Sequence, residues 1–474
     1  MMTRISARGI DFGAIRTDFS LTADFPPRAV AEAESAVDRF AAERADRTDL
    51  ALVTIDPPTS MDLDQALHLE RTPTGFVLHY AIADVGAVVI PGGDLDAEVR
   101  RRGQTFYLPD GSLPLHPRVM SEGAASLLPD LVRPAALWRI ELDERAEPVS
   151  VEVTRALVRS VARFDYAGVQ ADSESGSLHP SIAALPEFGK LRLASAIDRG
   201  AIELKLPEQE VVGDGDGWRL ELQPRTEADD WNAEVSLLTG MCAAQLMIDA
   251  GIGLLRTLPD PAPGAVAALR TAASALGMDW PARVPVGEFL AGLEPNTPAT
   301  LVMMTEATSL LRGAGYAAFD GEVPELVTHS GIGAPYAHVT APLRRLSDRF
   351  STEVCLAVCA GTPVPQWVRE ALPSLSDLMR GSDTVANKVD RACVDLTEAT
   401  LLAGREGEVF EAVVLRGVDG KREAEVFAPQ ATVIGKCLGD PPEGEAVSVR
   451  LVQADVAERT VKFGYPATAS GSQT

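Results

Sequence analysis

An α+β fold, with a large mixed β-sheet and surrounding helices followed by a small β-barrel, is predicted by three changes of texture along the 474 residues. From Asp49 the chain reads as short β-rich runs, LALVTID, QALHLE and FVLHYAIADV, separated by acidic or Pro/Gly punctuation, the pattern of a strand meander. From roughly 180 to 330 it becomes Ala- and Leu-rich with apolar residues at helical spacing, as in AEVSLLTGMCAAQLMIDAG and TPATLVMMTEATSLLRGAG, and reads as mainly helical. Residues 341–400 continue as helices, broken at GTPVPQW. After Gly404 strand-length runs return, GEVFEAVVLRGV, AEVFAPQATVIG, AVSVRLVQADV and RTVKFGYP, divided by Gly, Asp and Pro; their number and spacing suit a five-stranded OB-type barrel.

Ahead of the meander, residues 26–46 (PPRAVAEAESAVDRFAAERAD) carry prolines at the start and Ala, Val and Phe at helical spacing, which predicts one amphipathic helix. The resulting division is an N-terminal extension with its helix over 1–45, a main domain over 46–400, the barrel over 405–466 and a disordered tail over 467–474.

Composition narrows the function classes. With 46% apolar and 23% charged residues, and no run of about 18 apolar residues, the chain is expected to be soluble, monomeric and not membrane-inserted. The opening MMTRISARGIDFGAIRTDFS lacks the apolar run of a secretory signal, so the expected location is the cytoplasm. Cys242, Cys355, Cys359, Cys393 and Cys437 form no CxxC pair and read as free, buried thiols. The six histidines show no HExxH or HxxxH spacing, so no zinc site is expected. The net charge of −25 counts against a nucleic-acid partner, since a basic footprint is the usual mark of a phosphate binder. It leaves open a single strand threaded into a channel that is locally positive.

The segment TIDPPTSMDLDQAL concentrates the chemistry. The apolar run LALVTI ends at Asp56, two prolines force an extended turn, and Asp62 and Asp64 fall on one side of the returning segment if it is extended. Three carboxylates converging at a strand end are costly to ionise together without cations, and hard oxygen donors suit magnesium or manganese. Hydrolysis of a phosphodiester by two metal ions requires such a set. Taken alone, the spacing equally suits an exposed acidic turn; an EF-hand loop is excluded, because the central glycine and terminal glutamate are missing.

The surrounding sequence resembles the catalytic RNB domain of the ribonuclease II/R family over about 46–400. The family's loop of four aspartates is matched at Asp56, Asp62 and Asp64. A second block, AIADVGAVVIPGGDLDAEVRRRGQTFYLPDGSLPLHPRVMSEGAASLLP, resembles the family's next signature, with Tyr107, Pro114, Pro117, Ser121 and the Ser126-Leu127 pair in place. FDYAGV aligns Tyr166 with another family tyrosine, and HVTAPLRRLSDR is similar to the Thr-Ser-Pro-Ile-Arg-Arg block, with Thr340, Pro342, Arg344, Arg345 and Asp348.

The resemblance implies a catalytic domain with a central RNA channel that removes 5′-nucleoside monophosphates from the 3′ end of single-stranded RNA with Mg²⁺ or Mn²⁺. It implies Asp56, Asp62, Asp64 and Gln65 as metal ligands, with Arg344 and Asp390 in the catalytic set. For RNA contact it implies Tyr107, Tyr166, Glu234, Thr340, Arg344 and Arg345. Arg344 would hold backbone phosphate, the tyrosines would clamp terminal nucleotides, Glu234 would meet ribose hydroxyls, and Asp390 stands where the family has a glutamate near the leaving group.

The sequence also departs from the pattern. Gln65 stands where the family has its fourth aspartate, keeping an amide oxygen without the charge. Leu204 replaces an aromatic residue, Thr340-Ala341-Pro342 replaces Thr-Ser-Pro, and the family's paired N-terminal cold-shock domains are expected to be absent, with the short helix in their place. A less enclosed RNA entrance is the expected consequence. Gln65 and the acidic composition also keep a second expectation open, an RNA-binding protein of the same fold with weakened catalysis.

Overall fold

The computed structural model describes residues 5–204, 208–223, 225–294, 297–420 and 422–467. At its centre a six-stranded mixed sheet runs in the order Ala45–Asp46, Pro148–Phe164, Leu52–Ile55, Gln65–Thr72, Gly75–Ala83, Val132–Leu142. The three meander strands expected from sequence are its middle. Pro148–Phe164 pairs antiparallel with Val132–Leu142 along its first part and parallel with Leu52–Ile55 along its last, so both ends of the ladder meet on one 17-residue strand. The buried faces carry Leu52, Val53, Leu67, Leu78, Tyr80, Ile82, Trp138 and Ile140, the largest core cluster.

The predicted helix over 26–46 is shorter, Pro27–Glu34. Beyond it side chains bind the main domain instead of continuing the turn: Arg39 donates to the Gly86 carbonyl, and the fully buried guanidinium of Arg44 pairs with Asp38 and Asp84.

The region read as mainly helical does hold the helices Leu185–Asp198, Glu227–Ala250, Pro263–Ala275 and Pro298–Ala307, but also two strand pairs. Glu208–Asp214 and Gly217–Gln223 form a hairpin, and Ile252–Thr257 pairs with Gly315–Asp320. The GDGDG turn, with Gly215 at a φ of 59°, and the alternation in WRLEL were the available signals for the hairpin. The break at GTPVPQW is as expected, separating the helix Leu346–Cys359 from Gln366–Leu402.

The C-terminal strands close a five-stranded barrel in the order Val409–Arg416, Ala424–Ala428, Val433–Leu438, Thr460–Gly464, Ala446–Asp455. It has its own core, with Phe410, Val426, Val449 and Phe463, joined by Ala399, Leu401 and Leu402 from the end of the long helix. Cys242, Cys355, Cys393 and Cys437 are buried free thiols, and Cys359 is half-buried. Among the described residues no helix is long and apolar enough to cross a membrane. The tail expected over 467–474 lies outside the described residues from 468 onward.

Candidate active site

The carboxylate segment is held at both ends and in the middle. Asp56 donates its N–H to the Phe164 carbonyl at 3.1 Å, extending the parallel pairing by one residue. Arg163 donates to the carbonyls of Pro57 and Pro58, at 2.9 and 2.8 Å, which fixes the turn that the two prolines begin. On the returning side, the buried Ser126 hydroxyl donates to the Met61 carbonyl at 2.7 Å and accepts the Leu63 N–H at 3.0 Å, while Leu127 donates to the Leu63 carbonyl. The Ser-Leu pair recognised in the sequence is therefore the clamp on this loop.

Asp64 is buried, and its Oδ1 accepts the Leu343 N–H at 2.7 Å. Its Oδ2 lies 3.4 Å from Nε of Arg344. Burial pushes all three carboxylates up: Asp56 to about 7, Asp62 above the usual range and Asp64 well above it, with Arg344 opposing the shift in each case. Asp62 adds to the shift of both Asp56 and Asp64, so the three lie in one field. The Arg344 side chain remains about half exposed.

Two tyrosines border this group. Tyr107 is the outward residue of the Phe106–Leu108 strand, 54% exposed between two buried neighbours, and its hydroxyl interacts with Arg344. Tyr166 opens the helix Tyr166–Ser175, which Asp165 caps by accepting the Gly168 N–H at 2.7 Å. It feels the Asp56 charge, and its hydroxyl interacts with the Asn232 side chain.

Several expected residues are turned elsewhere. Arg345 donates to both oxygens of Asp348, at 2.6 and 2.7 Å, so Nε and one terminal nitrogen of its guanidinium are engaged inside the protein. Thr340 is buried, and its carbonyl accepts from the Gln65 amide at 2.7 Å. Glu234 faces Arg192 across 3.9 Å, on the side of Glu227–Ala250 that carries Asp230. At about 100° per residue, Asp229, Asn232 and Ser236 share the other side, toward Tyr166 and Tyr80. Asn232, which sequence reading passed over, thus lies with Asp229 on the Tyr166 side of this helix. Asp390 interacts with Arg391 and Cys393, and its neighbours Val389 and Cys393 pack under Phe106; none of the aspartates' interactions includes it. Leu204 packs with Phe289 and Leu290 in a separate apolar cluster.

The donor set of Asp56, Asp62 and Asp64 suits a hard divalent cation in its chemistry: carboxylate oxygens shifted upward by burial, with Arg344 acting on all three, Arg163 on Asp56 and Arg118 on Asp62. Among the described residues no three His, Cys, Asp or Glu side chains stand close enough to hold a metal ion together, so the carboxylates are gathered without closing on a point. Gln65 is engaged on both sides of its amide, accepting from Tyr80 at 2.6 Å and donating to Thr340.

Residues 44–355 match the RNB domain, and residues 408–465 match the RNase II-type exonuclease C-terminal S1 domain. The chain belongs to the RNB domain family. RNB proteins similar to it include Ribonuclease R of Escherichia coli, 29% identical over 325 residues (65% of this chain, 39% of that protein). Another is the exosome complex exonuclease RRP44 of Homo sapiens, 28% identical over 359 residues (73% and 36%). The chain spans between 33% and 54% of the length of the curated relatives it matches, from the exosome complex exonuclease dis3 of Schizosaccharomyces pombe to Ribonuclease R of Mycoplasma pneumoniae. The apo form of Mycoplasma genitalium RNase R has the same fold, with a TM-score of 0.85 at 20% identity, covering 96% of this chain and 77% of that one. Yeast Ssd1, a pseudonuclease, is similar at a TM-score of 0.68 and 16% identity, covering 93% and 58%.

Proposed function

We propose that this RNB-domain chain is a metal-dependent 3′→5′ exoribonuclease that hydrolyses single-stranded RNA to 5′-nucleoside monophosphates. The observation that carries the reading is Arg344, half exposed beside Asp64 and within the field of Asp56, Asp62, Tyr107 and Tyr166. A half-exposed guanidinium thus stands where carboxylates and two aromatic rings meet, an arrangement suited to a nucleotide phosphate with its flanking bases. Relatives named Ribonuclease R support the same reading.

Asp56, Asp62 and Asp64 would hold Mg²⁺ or Mn²⁺, which supplies Lewis-acid polarisation of the phosphoryl group and an activated water. Arg344 binds the scissile phosphate through the outer edge of its guanidinium while Nε stays toward Asp64. Tyr107 and Tyr166 stack on the terminal bases and fix the strand's end, and Asn232 offers a polar contact at the Tyr166 side. The barrel extends the single-strand path, as OB-type barrels do.

The test is digestion of 5′-labelled single-stranded RNA with Mg²⁺ or Mn²⁺. Stepwise shortening is expected from the wild type; Asp64→Asn should abolish it while RNA binding persists. Continued shortening by Asp64→Asn would remove this centre from the mechanism.

A second reading, an RNA-binding protein with weakened catalysis, draws on the engaged amide of Gln65 and on a pseudonuclease of similar fold. Tight RNA binding by the wild type without product under either metal would favour it.

A further inference from the structure

The replacement of a carboxylate at position 65 leaves a half-buried amide beside Asp64, and what that amide touches is specific. Tyr80 is fully buried on the Gly75–Ala83 strand; its hydroxyl lies 2.6 Å from Gln65 Oε1 and 2.8 Å from Ser236 Oγ. Gln65 Nε2 lies 2.7 Å from the Thr340 carbonyl. A carbonyl only accepts, so the amide nitrogen must face Thr340 and the amide oxygen must face Tyr80. The single Tyr80 hydrogen then goes to Gln65, and Ser236 donates to Tyr80. The order of donors along the chain from Ser236 to Tyr80 to Gln65 to Thr340 is thereby fixed.

We infer that Gln65 is a positioning residue that ties the carboxylate segment to the Arg344 loop. Gln65 is the residue after Asp64, and Thr340 begins the turn that carries Leu343 and Arg344, the two residues that contact Asp64. The amide bridge and the Leu343–Asp64 hydrogen bond close the two segments on each other from adjacent positions, setting where Arg344 stands over Asp64. An aspartate at position 65 cannot take this place. It is one methylene shorter, and its acceptor-only carboxylate would oppose the Thr340 carbonyl beside three further aspartates. Restoring the family's carboxylate therefore damages this site.

The inference rests on the proposed nuclease reading for its kinetic arm, and an unfolding arm separates the two. Gln65→Asp, Tyr80→Phe and the double variant are compared with the full-length wild type. Measurements are kcat and KM on labelled RNA, the Mn²⁺ concentration giving half-maximal rate, and the melting temperature without metal. Both single variants are expected to lower kcat roughly tenfold to a hundredfold with KM little changed, as small displacements of reacting groups do. The double variant should lose less than the sum of the single losses, because both remove one chain of contacts. A higher kcat or a lower half-maximal Mn²⁺ concentration in Gln65→Asp would show a degraded metal ligand and overturn the inference, as would unchanged kcat in Tyr80→Phe. Should Gln65→Asp fail to fold, Tyr80→Phe, which keeps the ring in its core position, decides by its kcat. A wild type inert on RNA would overturn the nuclease reading alone. Non-additive losses of melting temperature would still uphold the bridge, and additive ones would overturn it.

Discussion

The carboxylate of Asp348 is fully buried, and beyond its two bonds from Arg345 it accepts the Ala341 N–H at 2.7 Å and the Ser347 hydroxyl at 3.0 Å. Removing the guanidinium would strand that charge, so Arg345→Met is expected to destabilise the fold by about 3 kcal/mol or more, read in a denaturant titration. The adjacent Arg344 is half exposed and faces Asp64 at only 3.4 Å. Arg344→Lys keeps the charge but loses the planar fork, so kcat should drop on the order of a hundredfold with the melting temperature unchanged. Equal stability losses at the two positions would contradict this division of labour. Sequence alone paired them, because two consecutive arginines look alike until the backbone sends one inward and one out. Asp56, Asp62 and Asp64 stood out through the motifs around them and not through their spacing, which alone also suits an exposed acidic turn. Asn232 and Tyr80 were not, since an Asn in a helix and a Tyr in an apolar strand carry no signal apart from what they touch.

At the scale of elements, the site is assembled by loops clamped onto the sheet. The Ser126 hydroxyl satisfies two backbone groups of the carboxylate segment at once, and it is wholly buried. Ser126→Ala should cost about 1–3 kcal/mol through the unpaired groups it leaves. Unlike a remote core change, it should also lower kcat, which a parallel measurement of melting temperature and turnover would establish. Loss of stability with full turnover would count against a role for this clamp in shaping the centre. Helix faces give the complementary case. The close approach of Glu227–Ala250 to the Tyr336 region relies on Gly240, where an added Cβ would lie 2.2 Å from the Tyr336 ring and 2.7 Å from the Ala337 carbonyl. Gly240→Ala is expected to destabilise by about 1–3 kcal/mol from overpacking, seen as a lower denaturation midpoint. The helix was readable from its periodicity, yet which of its faces meets the site was not, and Glu234 accordingly fell on the other side.

For the whole molecule, the junction between main domain and barrel depends on the long helix Gln366–Leu402, whose end enters the barrel core. There the buried Glu398 accepts the Ile434 N–H and the Gln209 side chain, both at 2.9 Å, so helix, hairpin and barrel meet on one carboxyl group. Burial pushes Glu398 from 4.5 up to about 7. A folded-state value above the unfolded one means that the native state holds the proton more tightly. The contribution to stability is full below the unfolded value and is lost as pH rises through about 7. Thermal unfolding between pH 5 and 8 should therefore weaken more steeply in the wild type than in Glu398→Gln. Glu234 and Asp56 share the same upward shift but are present in both proteins, so the difference isolates the junction. Parallel pH profiles would rule out this role for Glu398.

By itself the sequence determined the α+β class, the closed C-terminal barrel and the helix break at GTPVPQW, because periodicity, turn residues and ordered motifs are local properties of the chain. Tertiary structure alone decided that Gln65 bridges to Thr340 across 275 positions, that Arg345 turns inward, and that Asn232 reaches Tyr166 while Glu234 does not. Those outcomes depend on which donors and acceptors burial brings together, and a hydrogen bond between distant segments leaves no period in either of them.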